Sequence, residues 1–89
     1  MSSKRNPNLV TAQILEICTG GAGKTRVVYQ ANLNSVTGTQ YLKSLAKNGL
    51  IEAIPDGSRF IYKTTPKGNE LKERLGEFKT IMENLSQHA

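Results

Sequence analysis

The sequence predicts a mainly helical α+β fold, with three helices, a two-stranded hairpin and a fourth helix in that order. Apolar residues recur every three or four positions in four stretches, which is the spacing of a buried helical face. Residues 50–64 instead form two short runs rich in β-branched and aromatic residues, on either side of the turn-forming sequence PDGS. At 89 residues the chain makes one domain with a thin core.

The first helix is expected over residues 9–19, which contain seven apolar positions at helical spacing. The sequence GGAG at residues 20–23 ends it, because glycine tolerates the left-handed conformation of a helix end. Cys18 lies in the apolar run and is expected to be a small core residue. As the single cysteine in a chain with a single histidine, it provides neither an internal disulfide nor a metal site.

The next two helices are short and separated by a turn at residues 32–34. The second helix is predicted over residues 24–31, and its inward face is expected to consist of Val27, Val28 and Ala31. Ser35 is predicted as the N-cap of the third helix, which ends at the pair Asn-Gly after residue 47. The buried face of the third helix is set by Leu42 and Leu45, with Val36 and Ala46 at its edges.

Residues 50–54 and 59–64 are predicted to pair as a β-hairpin. The turn between them is expected at residues 55–58, where proline, aspartate, glycine and serine each favour turn geometry. Thr65 then caps a last helix that runs to about residue 86. Pro66 occupies its first position, where a missing N–H costs nothing.

The last helix carries an apolar seam with spacings of four, three, four and three residues, the 3.5-residue period of a coiled coil. The seam consists of Leu71, Leu75, Phe78, Met82 and Leu85. One interpretation is a single amphipathic face docked on its own domain. The preferred interpretation is dimerisation, because the seam spans about 22 Å at ~1.5 Å per residue, more than a core of this size is expected to cover.

Positive charge is concentrated in the first half of the chain. Residues 1–51 contain six basic residues and one acidic residue, whereas residues 52–89 contain six of each, so the net charge of +5 comes from the first half. A polyanion such as DNA would bind this half through phosphate neutralisation, although a soluble basic surface without a partner has the same composition. We expect a cytoplasmic protein, because the sequence has no apolar run typical of a membrane span or a secretory leader.

The second and third helices and their short turn have the order of a helix-turn-helix, and the hairpin corresponds to a wing. In this arrangement the third helix enters the major groove of DNA and the wing reaches a neighbouring groove or the backbone. The predicted DNA contacts on the third helix are Thr37, Gly38, Gln40, Tyr41, Lys43, Ser44 and Lys47. Glutamine pairs with adenine, and lysine binds guanine or phosphate. Gly38 allows close approach either to DNA or to the second helix.

Further cationic candidates lie outside the third helix. They are Arg59 at the wing, Lys24 and Arg26 at the start of the second helix, and Lys4 and Arg5 in an N-terminal arm over residues 1–8. A helix start also offers free N–H groups to phosphate. Asp56, close to Arg59, would instead repel phosphate.

The sequence GGAGKT at residues 20–25 ends like a phosphate-binding P-loop. The full pattern requires a glycine where this chain has Cys18, and a strand where we expect the first helix. The glycines are better explained as a helix end and a tight turn. Because no nucleophile–base pair is visible either, we expect a protein that is not an enzyme and needs no cofactor.

The stretch KTRVVYQANLNSVTGTQYLKSLAKNGLIE resembles the small archaeal winged-helix chromatin proteins of the 10a family, and the resemblance continues through RFIYKTTPKGNEL. It covers most of residues 9–85. The resemblance implies a dimer joined by antiparallel C-terminal helices, with one winged helix at each end; a long rod and a compact dimer both remain open. It also implies DNA contact through Thr37, Gly38, Gln40, Lys43, Lys47 and the wing residue Arg59.

These observations lead to the hypothesis of a homodimeric, nucleoid-associated protein that binds double-stranded DNA and acts as a transcriptional regulator or organises chromatin. The expected organisation is a flexible arm (residues 1–8), a winged helix-turn-helix domain (residues 9–64) and a dimerisation helix (residues 65–89). The alternative is a winged helix that serves as a protein-interaction module of a larger assembly. The polar, lysine-bearing outer side of the third helix favours DNA.

Overall fold

The computed structural model describes residues 6–87, except for the side chains of Lys79, Met82, Ser86 and Gln87. The element order is α1 (Pro7–Ile17), β1 (Ala22–Gly23), α2 (Lys24–Gln30), α3 (Ser35–Lys47), β2 (Ile51–Asp56), β3 (Arg59–Thr64) and α4 (Pro66–Gln87). The predicted mainly helical α+β fold is confirmed, with one additional strand. The predicted arm residues Lys4 and Arg5 and the side chain of the seam residue Met82 lie outside the described residues.

A buried apolar cluster holds the helices and the sheet together. It consists of Val10, Ile14, Leu15, Cys18, Ala22, Val27, Ala31, Leu42, Leu45 and Ile51. The helices α1, α2 and α3 contribute residues at spacings of three or four, as the sequence pattern predicts. Burial raises the pKa of the Cys18 thiol to about 11, and the positive charge of Arg26 opposes that shift only in part. Cys18 is therefore a neutral core residue, as expected.

Asparagine side chains cap two of the helices. Asn34 accepts a hydrogen bond from the backbone N–H of Thr37 at 2.7 Å, so the prediction of Ser35 as the N-cap of α3 is wrong. Ser35 is instead the first helical residue, because Asn34 has the extended backbone that an N-cap requires. The cap of α1 is Asn6, with Pro7 in the first turn, and this helix therefore begins two residues before the predicted start.

The strand β1 was not predicted from the sequence. It pairs antiparallel with β3, with Ala22 opposite Tyr62 and Gly23 opposite Ile61, and the sheet has the order β1-β3-β2. Gly21 has a φ of +96°, which glycine adopts at low cost, and this conformation turns the chain from α1 into the strand. The glycine-rich segment therefore combines a helix end, a turn and an edge strand.

The strands β2 and β3 form the predicted hairpin, with a shorter turn than expected. Pairing continues as far as Asp56 opposite Arg59, so the turn contains only residues 57–58. Pro55 and Asp56 were predicted in the turn and lie in β2 instead. Proline is tolerated there because β2 is at the edge of the sheet, where a missing N–H need not break a ladder of hydrogen bonds.

Hydrogen bonds fix the start of α4 against the segment that follows α3. The hydroxyl of Thr65 donates to the carbonyl of Gly49 at 2.6 Å and accepts from the backbone N–H of Gly68 at 3.0 Å. The second bond is the helix cap predicted for Thr65. Gly68 packs directly against the carbonyl oxygen of Leu50, so a side chain at this position has no room.

The first half of α4 packs against the core, and the second half carries exposed apolar side chains. Leu71 contacts the buried cluster and Leu75 is half-buried, while Lys72 forms an ion pair with Glu16 at 3.2 Å. Further along the helix, the exposed fractions are 48% for Phe78, 57% for Ile81 and 61% for Leu85. We call these three residues the α4 apolar stripe. The predicted seam is thus divided between a docked part and an exposed part.

Replacing Gly68 with alanine should lower the free energy of unfolding by about 1–3 kcal/mol, because the added methyl group overlaps the carbonyl of Leu50. Gly76, in the same helix, is the matched control, since a Cβ added there meets no atom within 4 Å. Gly76→Ala should raise the free energy of unfolding by about 0.5–1 kcal/mol through helix propensity. Urea denaturation measures both values, and a similar effect of the two substitutions would contradict the packing at Gly68.

Candidate nucleic-acid interface

The side of α3 opposite the core is exposed and mostly polar. Leu42 and Leu45 are buried, and five exposed residues on the opposite side form what we call the α3 outer face: Val36, Gln40, Lys43, Ser44 and Lys47. Residues at positions i, i+4, i+7 and i+11 share one side of a helix, and Val36, Gln40, Lys43 and Lys47 have this spacing. No acidic residue occurs between residues 24 and 47, so α2 and α3 carry only positive charge.

A cavity of about 220 Å³ lies between α3, the start of α2 and the sheet. Lys24 and Lys43 both line it, together with Thr39, while Ala53 and Tyr62 contribute from the sheet. The structure therefore brings a lysine of α2 close to a lysine of α3, although the two residues are far apart in sequence.

A second cavity, of about 500 Å³, lies between α2 and the strands β1 and β3. Arg26 of α2 and Arg59 of the wing line it, together with Tyr29, which is 83% exposed. Asp56 is directly opposite Arg59 in the hairpin register. The predicted wing residue is thus placed beside the predicted cation of α2.

Five exposed cations, two from α2, two from α3 and one from the tip of the wing, form what we call the cationic face: Lys24, Arg26, Lys43, Lys47 and Arg59. In the part of the chain whose side chains are described, the ion pairs join Lys72 to Glu16 and Arg74 to Glu70, and both involve α4. In that part of the chain, the five cations therefore have no carboxylate within ion-pair distance. Their positive charge remains available to an anionic ligand.

Gly38 packs against α2 and does not face outward. It is buried, and a Cβ added to it would lie 2.5 Å from Cγ2 of Val28. Of the two roles that the sequence left open, the structure shows the close approach of α2 to α3. The prediction of Gly38 as a DNA contact is wrong, because a buried residue offers no surface to a ligand.

Thr37 and Tyr41 lie on the flank of α3 and not on its outer face. Both are half-buried, and Tyr41 packs against the buried cluster. The backbone N–H of Thr37 donates to the side chain of Asn34 in the helix cap. These two candidates therefore contribute to the packing and the capping of α3, whereas Gln40, Lys43, Ser44 and Lys47 are exposed.

Sequence reasoning missed Val36, Thr39 and Tyr29 at this interface. Val36 was expected at the edge of the buried face, yet its exposed fraction is 68%. Its spacing of four residues from Gln40 would have indicated the outer face. Tyr29 comes two residues after the buried Val27, which places it on a different side of α2. Thr39 could not be found in this way, because its place beside Lys24 depends on tertiary packing.

The segment GGAGKT contributes to the interface through its lysine. It follows α1, its residues Ala22 and Gly23 form β1, and Lys24 begins α2. A P-loop would instead connect a strand to a helix. The segment therefore places Lys24 beside α3, and its glycines serve the turn and the strand.

A family model described as winged helix-turn-helix matches residues 4–83. The chain belongs to the winged helix-turn-helix family. This winged helix is similar to the solved structure of Sso10a-2, a DNA-binding protein from Sulfolobus solfataricus, with 36% sequence identity and a TM-score of 0.89. The similarity covers 94% of this chain and 88% of that chain. The resemblance to the archaeal winged-helix proteins of the 10a family is confirmed.

Transcriptional regulators share the winged-helix fold at lower identity. BldR from Sulfolobus solfataricus has a TM-score of 0.78 at 16% identity over 91% of this chain, and PcaV from Streptomyces coelicolor has a TM-score of 0.77 at 20% identity over 94%. This chain covers 62% of each regulator.

Comparison with curated proteins gives no match. Among the described residues, no helix is both long and apolar enough to span a membrane.

Gly38→Ala should lower the free energy of unfolding by about 1–3 kcal/mol, because the new methyl group would overlap Cγ2 of Val28. Combining Gly38→Ala with Val28→Ala removes the overlap, so the double variant should be more stable than the sum of the single effects predicts. The expected coupling energy is about 0.5–3 kcal/mol, measured by urea denaturation of all four proteins in the cycle. Strictly additive effects would show that the two residues do not constrain each other.

Proposed function

We propose that this winged helix binds double-stranded DNA with α3 in the major groove, and that it acts as a transcriptional regulator or organises chromatin. The observation that carries the proposal is the cationic face: Lys24 and Lys43 line one cavity, Arg26 and Arg59 line another, and none of its five cations forms an ion pair with a described carboxylate. The similarity to Sso10a-2, described as a DNA-binding protein, supports it.

The dimensions and chemistry of α3 suit the major groove. Its 13 residues extend about 20 Å at ~1.5 Å per residue, and a groove about 12 Å wide admits an α-helix. Gln40 carries an amide that can form two hydrogen bonds with adenine, and Lys43 and Lys47 can bind guanine or phosphate. Arg26 and Arg59, which line one cavity, would contact the phosphate backbone beside the groove.

A winged helix that binds another protein is the alternative. The centre of a protein-binding surface is typically depleted of charged residues and enriched in aromatic side chains. On the α3 outer face, Val36 is apolar and the other four residues are polar or charged. This composition favours a nucleic-acid partner.

Lys43→Glu should weaken binding to duplex DNA about tenfold or more at low salt, because it removes a phosphate-neutralising charge and adds a repulsive one. It should also reduce the slope of log affinity against log salt by about one unit. Fluorescence anisotropy with a labelled duplex at several salt concentrations measures both quantities.

The control for this experiment is Arg74→Glu, which changes the net charge by the same amount. Arg74 lies on α4, where it pairs with Glu70 at 3.4 Å, and not on the cationic face. Its replacement should leave both the affinity and the salt slope close to those of the wild type. An equal loss in the two variants would contradict the cationic face as the binding surface. A wild-type protein that binds no DNA at low salt would contradict the proposed function itself.

We further propose a homodimer joined through α4, which would place two winged helices in one particle. The α4 apolar stripe supports this proposal, because Phe78, Ile81 and Leu85 follow the i, i+3, i+7 spacing of one helical side. Burying one such side chain gains about 1.5–3 kcal/mol, and contiguous exposed apolar residues mark interaction surfaces. Leu71 and Leu75, the docked part of the predicted seam, would support the interface from within the domain.

Replacing Phe78 and Leu85 together with glutamate should convert the dimer into a monomer, because the charged side chains would have to be buried in the interface. Sedimentation velocity over a range of protein concentrations detects the change. Thr80→Glu is the control: Thr80 is exposed on a different side of α4, and its replacement should leave the dimer intact. The proposed interface would be wrong if the double variant had the same oligomeric state as the wild type.

A further inference from the structure

Val36 is an apolar residue on a polar and cationic face, and the packing of the domain does not account for it. Its exposed fraction is 68%, and it belongs neither to the buried cluster nor to the hydrophobic residues packed against that cluster. Valine also has a lower helix propensity than glutamine, glutamate or lysine, which would serve a solvated position better. Isolated exposed apolar residues are common, so its position on the helix decides what it can contribute.

The position of Val36 is the first turn of α3, on the same side as Gln40. Residues four apart on a helix are neighbours and lie about 6 Å apart along its axis. In a recognition helix, the residues near the N-terminal end are those that reach the edges of the bases. If α3 occupies the major groove as proposed, Val36 and Gln40 face the same short stretch of base pairs.

The chemistry of these two side chains matches A·T base pairs. The C5-methyl group of thymine is the apolar feature of the major-groove edges, and small apolar side chains contact it. The amide of glutamine pairs with N6 and N7 of adenine. A separation of about 6 Å corresponds to roughly two base-pair steps of ~3.4 Å, so both contacts fit within one short A·T-containing sequence.

We infer that Val36 is a specificity-determining residue, whose methyl groups contact the C5-methyl group of a thymine within two base pairs of an adenine bound by Gln40. The inference rests on the proposed DNA binding and deepens it, because it assigns a sequence preference to one end of α3. Phosphate contacts by the lysines of the same face would supply affinity that depends on salt and is independent of sequence.

The test replaces single thymines by deoxyuridine in a duplex that the wild-type protein has selected from random DNA. This replacement removes the C5-methyl group and keeps every hydrogen-bonding group. At one or two positions the wild-type affinity should fall about fourfold, the value of one buried methyl group. Val36→Ala removes both γ-methyl groups and should therefore show a clearly smaller deoxyuridine penalty at those positions, with an unchanged salt slope.

Two further variants serve as controls. Val36→Thr keeps one methyl group of the branched side chain and should retain part of the deoxyuridine penalty. Gln40→Ala should keep the deoxyuridine penalty and lose the preference for adenine at a neighbouring position. Because Val36 and Gln40 are exposed, all three variants should fold, and circular-dichroism melting curves close to the wild-type curve verify this.

The inference is overturned if deoxyuridine has no effect at any position, if Val36→Ala keeps the full penalty, or if the selection returns no sequence motif. In each of these cases, salt-dependent binding by the wild-type protein would leave the proposed DNA-binding function standing. A wild-type protein without salt-dependent binding would contradict that function directly, so the two failures are distinguishable.

Discussion

The close contact between α2 and α3 is the constraint on which the cationic face depends. At Gly38 the side chain of Val28 packs directly against the backbone of α3. This contact fixes the distance between the helices, and Lys24 and Lys43 therefore line the same cavity. Because protein interiors are close-packed, a larger residue at position 38 would move α3 relative to α2. A buried residue without a side chain thus sets the geometry of an exposed charged surface.

The wing and α4 share a common attachment to α1. The hydroxyl of Thr64 donates to the carbonyl of Leu15 at 2.7 Å, and its backbone N–H donates to the carbonyl of Cys18 at 3.0 Å. Both acceptors belong to the C-terminal end of α1, where carbonyl groups have no partner within the helix. Since Thr64 ends β3 and α4 starts two residues later, the same bonds position both elements. The placement of the wing therefore depends on the core and not on the two-residue turn at its tip.

Helices and strands that carry a regular residue pattern and have capping or turn residues at their ends could be predicted from the sequence. The bounds of β3 and the C-terminal end of α3 agree with the predicted ranges, because residue pattern and flanking turn residues define them locally. The strand β1 could not be found in this way, since a two-residue segment becomes a strand only by pairing with β3. Similarly, Asn34 and Ser35 are both good capping residues, and only the backbone conformation shows which of them caps α3.

The candidate site was predictable as a set of residues but not as an arrangement. The exposed lysines of α3 followed from the positions of Leu42 and Leu45 on the opposite side of the helix. The neighbouring pairs, Lys24 with Lys43 and Arg26 with Arg59, arise from the packing of separate elements, and sequence spacing does not contain that information. For the same reason, the sequence does not show whether a residue at the edge of an apolar helical face is buried or exposed. The position of the adjacent element decides whether that residue is covered.

The ion pair between Glu16 and Lys72 has an effect beyond the attachment of α4. Glu16 is the only acidic residue in residues 1–51, and Lys72 lies 3.2 Å from it, so its negative field is largely cancelled. The other acidic residues belong to the wing and to α4. The domain therefore has an electric dipole, and the field of a nearby polyanion exerts a torque on it. Rotation before contact would turn α2 and α3 toward the approaching surface and increase the fraction of productive collisions.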